Sequence, residues 1–266
     1  MRKHITGFSN PTVKYLRSLR DKKHRKRSGQ FLVEGLRLLE DARSTGRLPA
    51  TLVMAEGRAA HQLLARLEAD VVAAGGEVIA TSPDILSKIT GKDNAQSVVG
   101  VFDEWDTGLA ALDRSAAPIW LVAQALRDPG NLGTMLRTGD AVGAGGLILI
   151  DDCADPFSAE AVRASMGAVF TVPLAQARWD EFLPWLREGS GQLLAASLRD
   201  AVPYRGAAYE APCFILVGNE SQGLPQEYEA ACDLRVTMPM RGRADSLNAA
   251  VAGAVLAYEV LAGLEG

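Results

Sequence analysis

The sequence predicts an α/β protein in two parts, and three observations carry that reading. Short apolar runs such as Ile119–Ala123, Leu147–Ile150 and Phe214–Val217 alternate with helix-length stretches, the pattern of a parallel sheet with helices on both faces. Charge is unevenly spread: residues 1–27 hold ten Lys/Arg against one acid (+9), so the remainder carries −13 of the net −4. Residues 103–117 mix Gly, Asp, Ala and Ser ahead of Pro118, a linker composition. The expected division is 1–103, a linker over 104–117, and 118–266.

At 266 residues and 48% hydrophobic content the chain can bury two modest cores. No apolar run is long enough to span a bilayer, and the N-terminus lacks the apolar centre of a secretory signal, so a cytoplasmic location is expected. Cys153, Cys213 and Cys232 are an odd number, far apart and without C-x-x-C spacing, which supports neither a disulfide framework nor a zinc site.

In order, Asn10–Arg27 reads as one helix, with Asn10 as N-cap and Pro11 at the first helical position. Its end is the cluster Lys22, Lys23, Arg25, Lys26 and Arg27, a candidate phosphate-contacting surface for RNA. Strands are expected at Phe31–Gly35, which ends in a turn, and at Thr51–Ala55, Glu77–Ala80 and Val98–Phe102. Helices are expected at Leu36–Ser44, His61–Ala73 and, capped by Ser82 before Pro83, up to Ile89.

The second part opens on the strand Ile119–Ala123. A loop punctuated by Pro129 and Gly130 follows, then a helix from Asn131, read as its N-cap, to Val142. Leu147–Ile150 is the next strand and Ser158–Ala164 a short helix. Then come a strand at Val169–Leu174, a helix at Trp179–Arg187 and a strand at Leu193–Ser197. Phe214–Val217 is a strand, Pro225–Ala231 a helix, Leu234–Met238 a strand and Ser246–Leu261 a small-residue helix capped by Ser246.

Familiar chemistries are excluded by residue type. The first strand leads into LRDPGNLG, which is not the G-x-G-x-x-G of a dinucleotide site. The three histidines, His4, His24 and His61, all lie in the first part, so the second has neither a Ser-His-acid relay nor histidine metal ligands. No metal is expected. What remains is a polar set around Gly-rich loops: Asn131-x-Gly133-x-x-x-Arg137, Gly218-x-Glu220-x-x-Gly223, and Pro239-Met240 followed by Ser246-Leu247-Asn248.

In order and type these three stretches resemble the signature motifs of the SpoU (TrmH) family within the SPOUT superfamily, from about Pro118 to the end. The resemblance implies an S-adenosyl-L-methionine-dependent RNA ribose 2′-O-methyltransferase. Pattern alone gives an ordinary doubly wound sheet; the resemblance implies instead a SPOUT fold with a trefoil knot at the cofactor site, and a homodimer. The basic helix followed by FLVEG resembles the small α/β, ribosomal-protein-like substrate domain found on many such enzymes. That points to ribosomal RNA (23S) ahead of tRNA, with a non-catalytic RNA-binding protein of the same fold as the different-class alternative.

Residue by residue, the resemblance places Gly218, Met238 and Leu247 against the cofactor. Leu216, Asn219, Gly223 and Met240 are expected to complete that site, the apolar ones enclosing the adenine. Met238 stands where the family usually has Ile, and Arg241 and Arg243 make the third loop unusually basic. The family assigns activation of the ribose hydroxyl to the arginine matching Arg137. A guanidinium is effectively always protonated, so a fixed cation that stabilises developing alkoxide is the less demanding role. Asn131, Glu220, Ser246 and Asn248 are the remaining catalytic candidates, with Glu220 as either proton acceptor or loop support.

Overall fold

The computed structural model describes residues 2–57, 61–219 and 222–265. The chain forms two compact units. The first takes the residues up to Trp105 together with Phe157–Phe170, and the second takes Asp106–Pro156 and the residues from Thr171 on. Among the described residues no helix is long and apolar enough to cross a membrane.

The first unit contains β1 (Arg2–Ile5), α1 (Pro11–Ser18), α2 (Lys22–Ser28), β2 (Gln30–Glu34), α3 (Leu36–Ser44), β3 (Thr51–Ala55), α4 (Gln62–Ala73), β4 (Glu77–Thr81), α5 (Pro83–Thr90) and β5 (Val98–Asp103). Its sheet has the order β1-β4-β3-β5-β2, with β1, β4 and β3 parallel and β5 antiparallel to both its neighbours.

The single basic helix expected from Asn10 to Arg27 is two helices. Asn10 caps the first by accepting from the Thr12 N–H, as expected. Asp21, the one acid in this stretch, then accepts from the Lys23 N–H at 2.7 Å and starts the second. Gly29, at φ 65°, closes it in the left-handed conformation. Strand β1 has no apolar alternation to announce it. It is held by its ladder to β4 and by ion pairs from Arg2 to Glu68 and Lys3 to Glu77.

The second unit begins with a short 3-10 turn over Leu109–Ala111, then β6 (Ile119–Gln124), α6 (Pro129–Ala141) and β7 (Leu147–Ile150). Helix α7 (Ala159–Ser165) and a 3-10 turn over Ala168–Phe170 belong to the first unit, although their sequence reads as part of the second. Aromatic packing accounts for this: the Phe157 ring lies 4.9 Å from Phe31 and 4.8 Å from Trp105, and Phe170 lies 5.4 Å from Phe102. The strand expected at Val169–Leu174 is therefore a buried turn, and pairing begins only at Leu174.

The unit continues with β8 (Leu174–Ala177), α8 (Trp179–Arg187), β9 (Gln192–Ala196), β10 (Val202–Pro203), β11 (Cys213–Val217), α9 (Gln226–Ala230), β12 (Leu234–Thr237) and α10 (Ala249–Glu265). All pairings in its sheet, β10-β12-β9-β11-β6-β7-β8, are parallel, so β6 and β11 at its centre are covered on both faces and read as unbroken apolar runs. Trp120 stacks on Phe214 at 5.5 Å in the core. Gly145 must lack a side chain because a Cβ there would sit 2.4 Å from the Trp120 ring.

Candidate active site

In a parallel α/β sheet ligands bind beyond the carboxyl ends of the strands. A cavity of about 380 Å³ lies there, where β9, β11 and β12 end. That volume is within the range of small-molecule sites, roughly 300–1,000 Å³. A second depression, of about 720 Å³, lies beside Pro118 and Pro212, at the opposite ends of β6 and β11.

The loop after β11 gives the cavity its shape through backbone. Gly218 crosses the returning chain so closely that a Cβ on it would lie 2.6 Å from the carbonyl carbon of Gly223 and 2.7 Å from the Leu224 nitrogen. Gly223 turns the loop at φ 65°, and its N–H donates to the Asn219 carbonyl at 2.8 Å. The Asn219 amide donates to the Ala125 carbonyl at 2.9 Å, tying this loop to the end of β6. Gly218, Asn219, Gly223, Met238, Met240, Ser246 and Leu247 all line the cavity.

Leu216 does not. It is fully buried in the core with Trp120, Val122 and Phe214, because alternation along β11 turns it into the sheet's packed face. Glu220 lies outside the described residues.

Helix α6 starts three residues earlier than its sequence suggests. Asp128 is the N-cap, accepting from the Asn131 N–H at 2.7 Å, with Pro129 at the first helical position. Asn131 is therefore inside the helix, and its side-chain oxygen accepts from Asn248 Nδ2 at 2.9 Å. Asn248 in turn caps α10: its Oδ1 accepts from the N–H groups of Ala250 and Val251, the role expected of Ser246. One asparagine thus starts the last helix and fastens it to the first motif.

Arg137 is exposed on α6 and lies outside the cavity wall. In the first unit, Lys22, Lys23, Lys26 and Arg27 are exposed. Arg25 is the exception to the basic surface. It is only 4% exposed, and its guanidinium donates to the carbonyls of Leu19 and Arg20 at 2.9 and 2.8 Å, satisfying the end of α1.

The structure adds residues that no motif marked. Ser197, Leu198 and Arg199 follow β9 into the cavity wall, and Glu229 of α9 meets them from the other side. Ser197 Oγ donates to Glu229 at 2.6 Å, and Arg199 Nη1 lies 3.3 Å from the other carboxylate oxygen. The signal available in the sequence was position alone: these residues end a predicted strand.

Residues 118–258 match the family model described as SpoU rRNA Methylase family, and residues 10–100 match an MRM3-like substrate binding domain. The chain is 30% identical to the 23S rRNA (guanosine(2553)-2′-O)-methyltransferase of Bacillus subtilis, over 97% of this chain and 99% of that one. It is also 30% identical to the 23S rRNA (uridine(2479)-2′-O)-methyltransferase of Streptomyces viridochromogenes, over 91% and 86%. Among solved structures, an AdoMet-bound rRNA methyltransferase from Sinorhizobium meliloti superposes with a TM-score of 0.92 at 39% identity, covering 99% of this chain and 98% of that one.

Proposed function

The chain belongs to the SpoU rRNA methylase family, and from that premise we propose that it transfers a methyl group from S-adenosyl-L-methionine to a ribose 2′-hydroxyl of 23S ribosomal RNA. The observation that carries this reading is the cavity at the strand ends, which the second- and third-motif loops wall with Gly218, Met238 and Leu247.

The residues present fit the cofactor. Gly218 leaves room for backbone to crowd the cavity, and Met238, Met240 and Leu247 offer an apolar enclosure for a purine. When bound, the cofactor supplies a methyl group already activated on a sulfonium. The protein's task is then positioning and charge placement. Asn131 and Asn248 hold the first and third motifs together. Arg137 acts as a fixed cation toward the RNA, orienting a phosphate and stabilising the alkoxide that develops at the 2′-oxygen as its proton passes to water, with S-adenosylhomocysteine as the leaving group. Ser246 lies on the cavity wall, where its hydroxyl serves the reacting groups.

By sequence we assign residues 1–103 to RNA substrate binding and 118–266 to methyl transfer, joined by 104–117; within the latter span Phe157–Phe170 packs in the first compact unit. Arg2 and Lys3 are neutralised by Glu68 and Glu77, and Arg25 is buried. Lys14, Arg17, Arg20, Lys22, Lys23, Lys26 and Arg27 are left exposed on or beside α1 and α2 as the phosphate-contacting set. A homodimer forms through the stripe Val251, Val255 and Tyr258 of α10, apolar groups that are 46%, 36% and 54% exposed at helical spacing.

Ribose-methylation mapping of ribosomal RNA from cells with and without this protein tests the proposal. One 23S site losing its methyl group in the deletion supports it, and an unchanged map contradicts it.

A further inference from the structure

We propose that Arg199 is the residue that holds the α-carboxylate of the methyl donor, with Glu229 and Ser197 fixing it in place. The inference rests on the cofactor reading above and extends it to residues outside all three motifs.

Charge on the cavity wall points to this role. Among the described residues lining the cavity, Arg199 is the single cation, beside the acids Glu229 and Asp245. S-adenosylmethionine carries one anion, its α-carboxylate, so the wall offers that group one partner of opposite sign. The guanidinium is also prepared for it. Glu229 is a carboxylate only 6% exposed, a placement that is costly unless the charge is paired and hydrogen-bonded. Here the Ser197 hydroxyl donates to one oxygen at 2.6 Å and Arg199 Nη1 sits 3.3 Å from the other.

The Arg199 N–H closes the arrangement by donating to Ser197 Oγ at 3.0 Å. Both the backbone and the tip of Arg199 are thus tied to the same buried acid. The side chain remains 62% exposed, and the pairing engages one nitrogen of a five-donor fork. The remaining donors are free to take a carboxylate in the two-point geometry that suits a guanidinium. Leu198, 74% exposed, stands at the same edge of the cavity as an apolar neighbour for the methylene stem of the amino-acid tail.

Glu229 is accordingly a positioning residue and Arg199 a binding residue. The site takes the zwitterionic amino-acid end of the cofactor, so the pair discriminates between adenosyl compounds that carry a carboxylate and those that do not.

Calorimetric titration of the full chain with S-adenosylmethionine and with its decarboxylated analogue tests this. The two ligands share sulfonium, amine and nucleoside and differ only in the carboxylate. The unmodified protein is expected to prefer the carboxylated ligand by about ten- to hundredfold, the usual worth of a charged hydrogen bond. Arg199→Ala should erase that preference by weakening S-adenosylmethionine alone. Arg199→Lys should retain part of it, and Glu229→Gln should reduce it without lowering affinity for the decarboxylated ligand. An equal loss for both ligands in Arg199→Ala, or an undiminished preference, overturns the assignment. Failure of the unmodified protein to bind either ligand overturns the cofactor reading itself and this inference with it.

Discussion

On the proposed reading, Gly218, Asn219, Gly223 and Leu224 offer a surface made of backbone, whereas α1 and α2 offer one made of long exposed side chains. In the loop, a glycine without room for a methyl group, a left-handed turn and the Asn219 bond to Ala125 set a fixed concave shape. On the two helices, the lysines and arginines other than Arg25 stand in solvent. The difference follows from the ligands. A small molecule is selected by shape, which needs a rigid wall, and one added carbon is enough to spoil it. A polyanion is attracted by charge, which tolerates loss of any one cation at a roughly constant cost. The first surface should fail all at once and the second by degrees.

Arg137 provides the largest break. It belongs to neither surface, and its removal should lower single-turnover methylation by about 10²–10³, the usual cost of one preorganised electrostatic donor. Calorimetric affinity for the cofactor should be unchanged. Arg137→Lys should lie between, because it keeps the charge and loses the fork.

Gly218→Ala tests the rigid wall. Overpacking of this kind costs about 1–3 kcal/mol, so a loop that yields to it should lose on the order of five- to a hundredfold in cofactor affinity. RNA affinity should be retained. If Gly218→Ala binds cofactor normally, the loop is not the rigid element described above.

The basic helices should respond in steps. Neutralising Lys22, Lys23, Lys26 or Arg27 singly should reduce the salt dependence of RNA binding by a log–log slope of roughly 0.7 to 0.9 per lost contact. Arg25→Gln should leave that slope in place and lower the thermal midpoint, since Arg25 supports the end of α1 from inside.

The smallest effect is alkaline. The Tyr228 hydroxyl is pushed up to about 12, first by burial and then by its hydrogen bond to Asp151. A raised value means its contribution to stability is fully present below pH about 10, the unfolded value, and is lost as pH rises through 12. Denaturation midpoints across that window should fall less steeply in Tyr228→Phe.

The same contrast explains what is legible in the sequence alone. The three motif stretches were legible because their glycines and asparagines serve backbone geometry that little else can serve. The parallel sheet was legible from its apolar runs. Three features were hidden, each for a different physical reason. Leu216 is one position from Val217, and only the face of β11 decides that Leu216 faces the core while Val217 lines the cavity. Arg25 looks like its neighbours until Asp21 breaks the helix and turns it inward. Ser197, Arg199 and Glu229 are brought together across 32 residues by a tertiary contact that no local pattern encodes. The capping of α6 was readable in principle, since Asp128-Pro129 is a stronger helix start than Asn131.

Methyl transfer to a ribose hydroxyl of ribosomal RNA can be tested on the acceptor atom itself. Its most direct test uses a 23S fragment carrying the mapped nucleotide, once as ribose and once as the single 2′-deoxy version, with purified protein and methyl-labelled cofactor. Label is expected in the first, recovered as a 2′-O-methyl nucleoside, and none in the second, because the 2′-hydroxyl is the group that distinguishes RNA. Label of equal amount in both, recovered on a base, would contradict it.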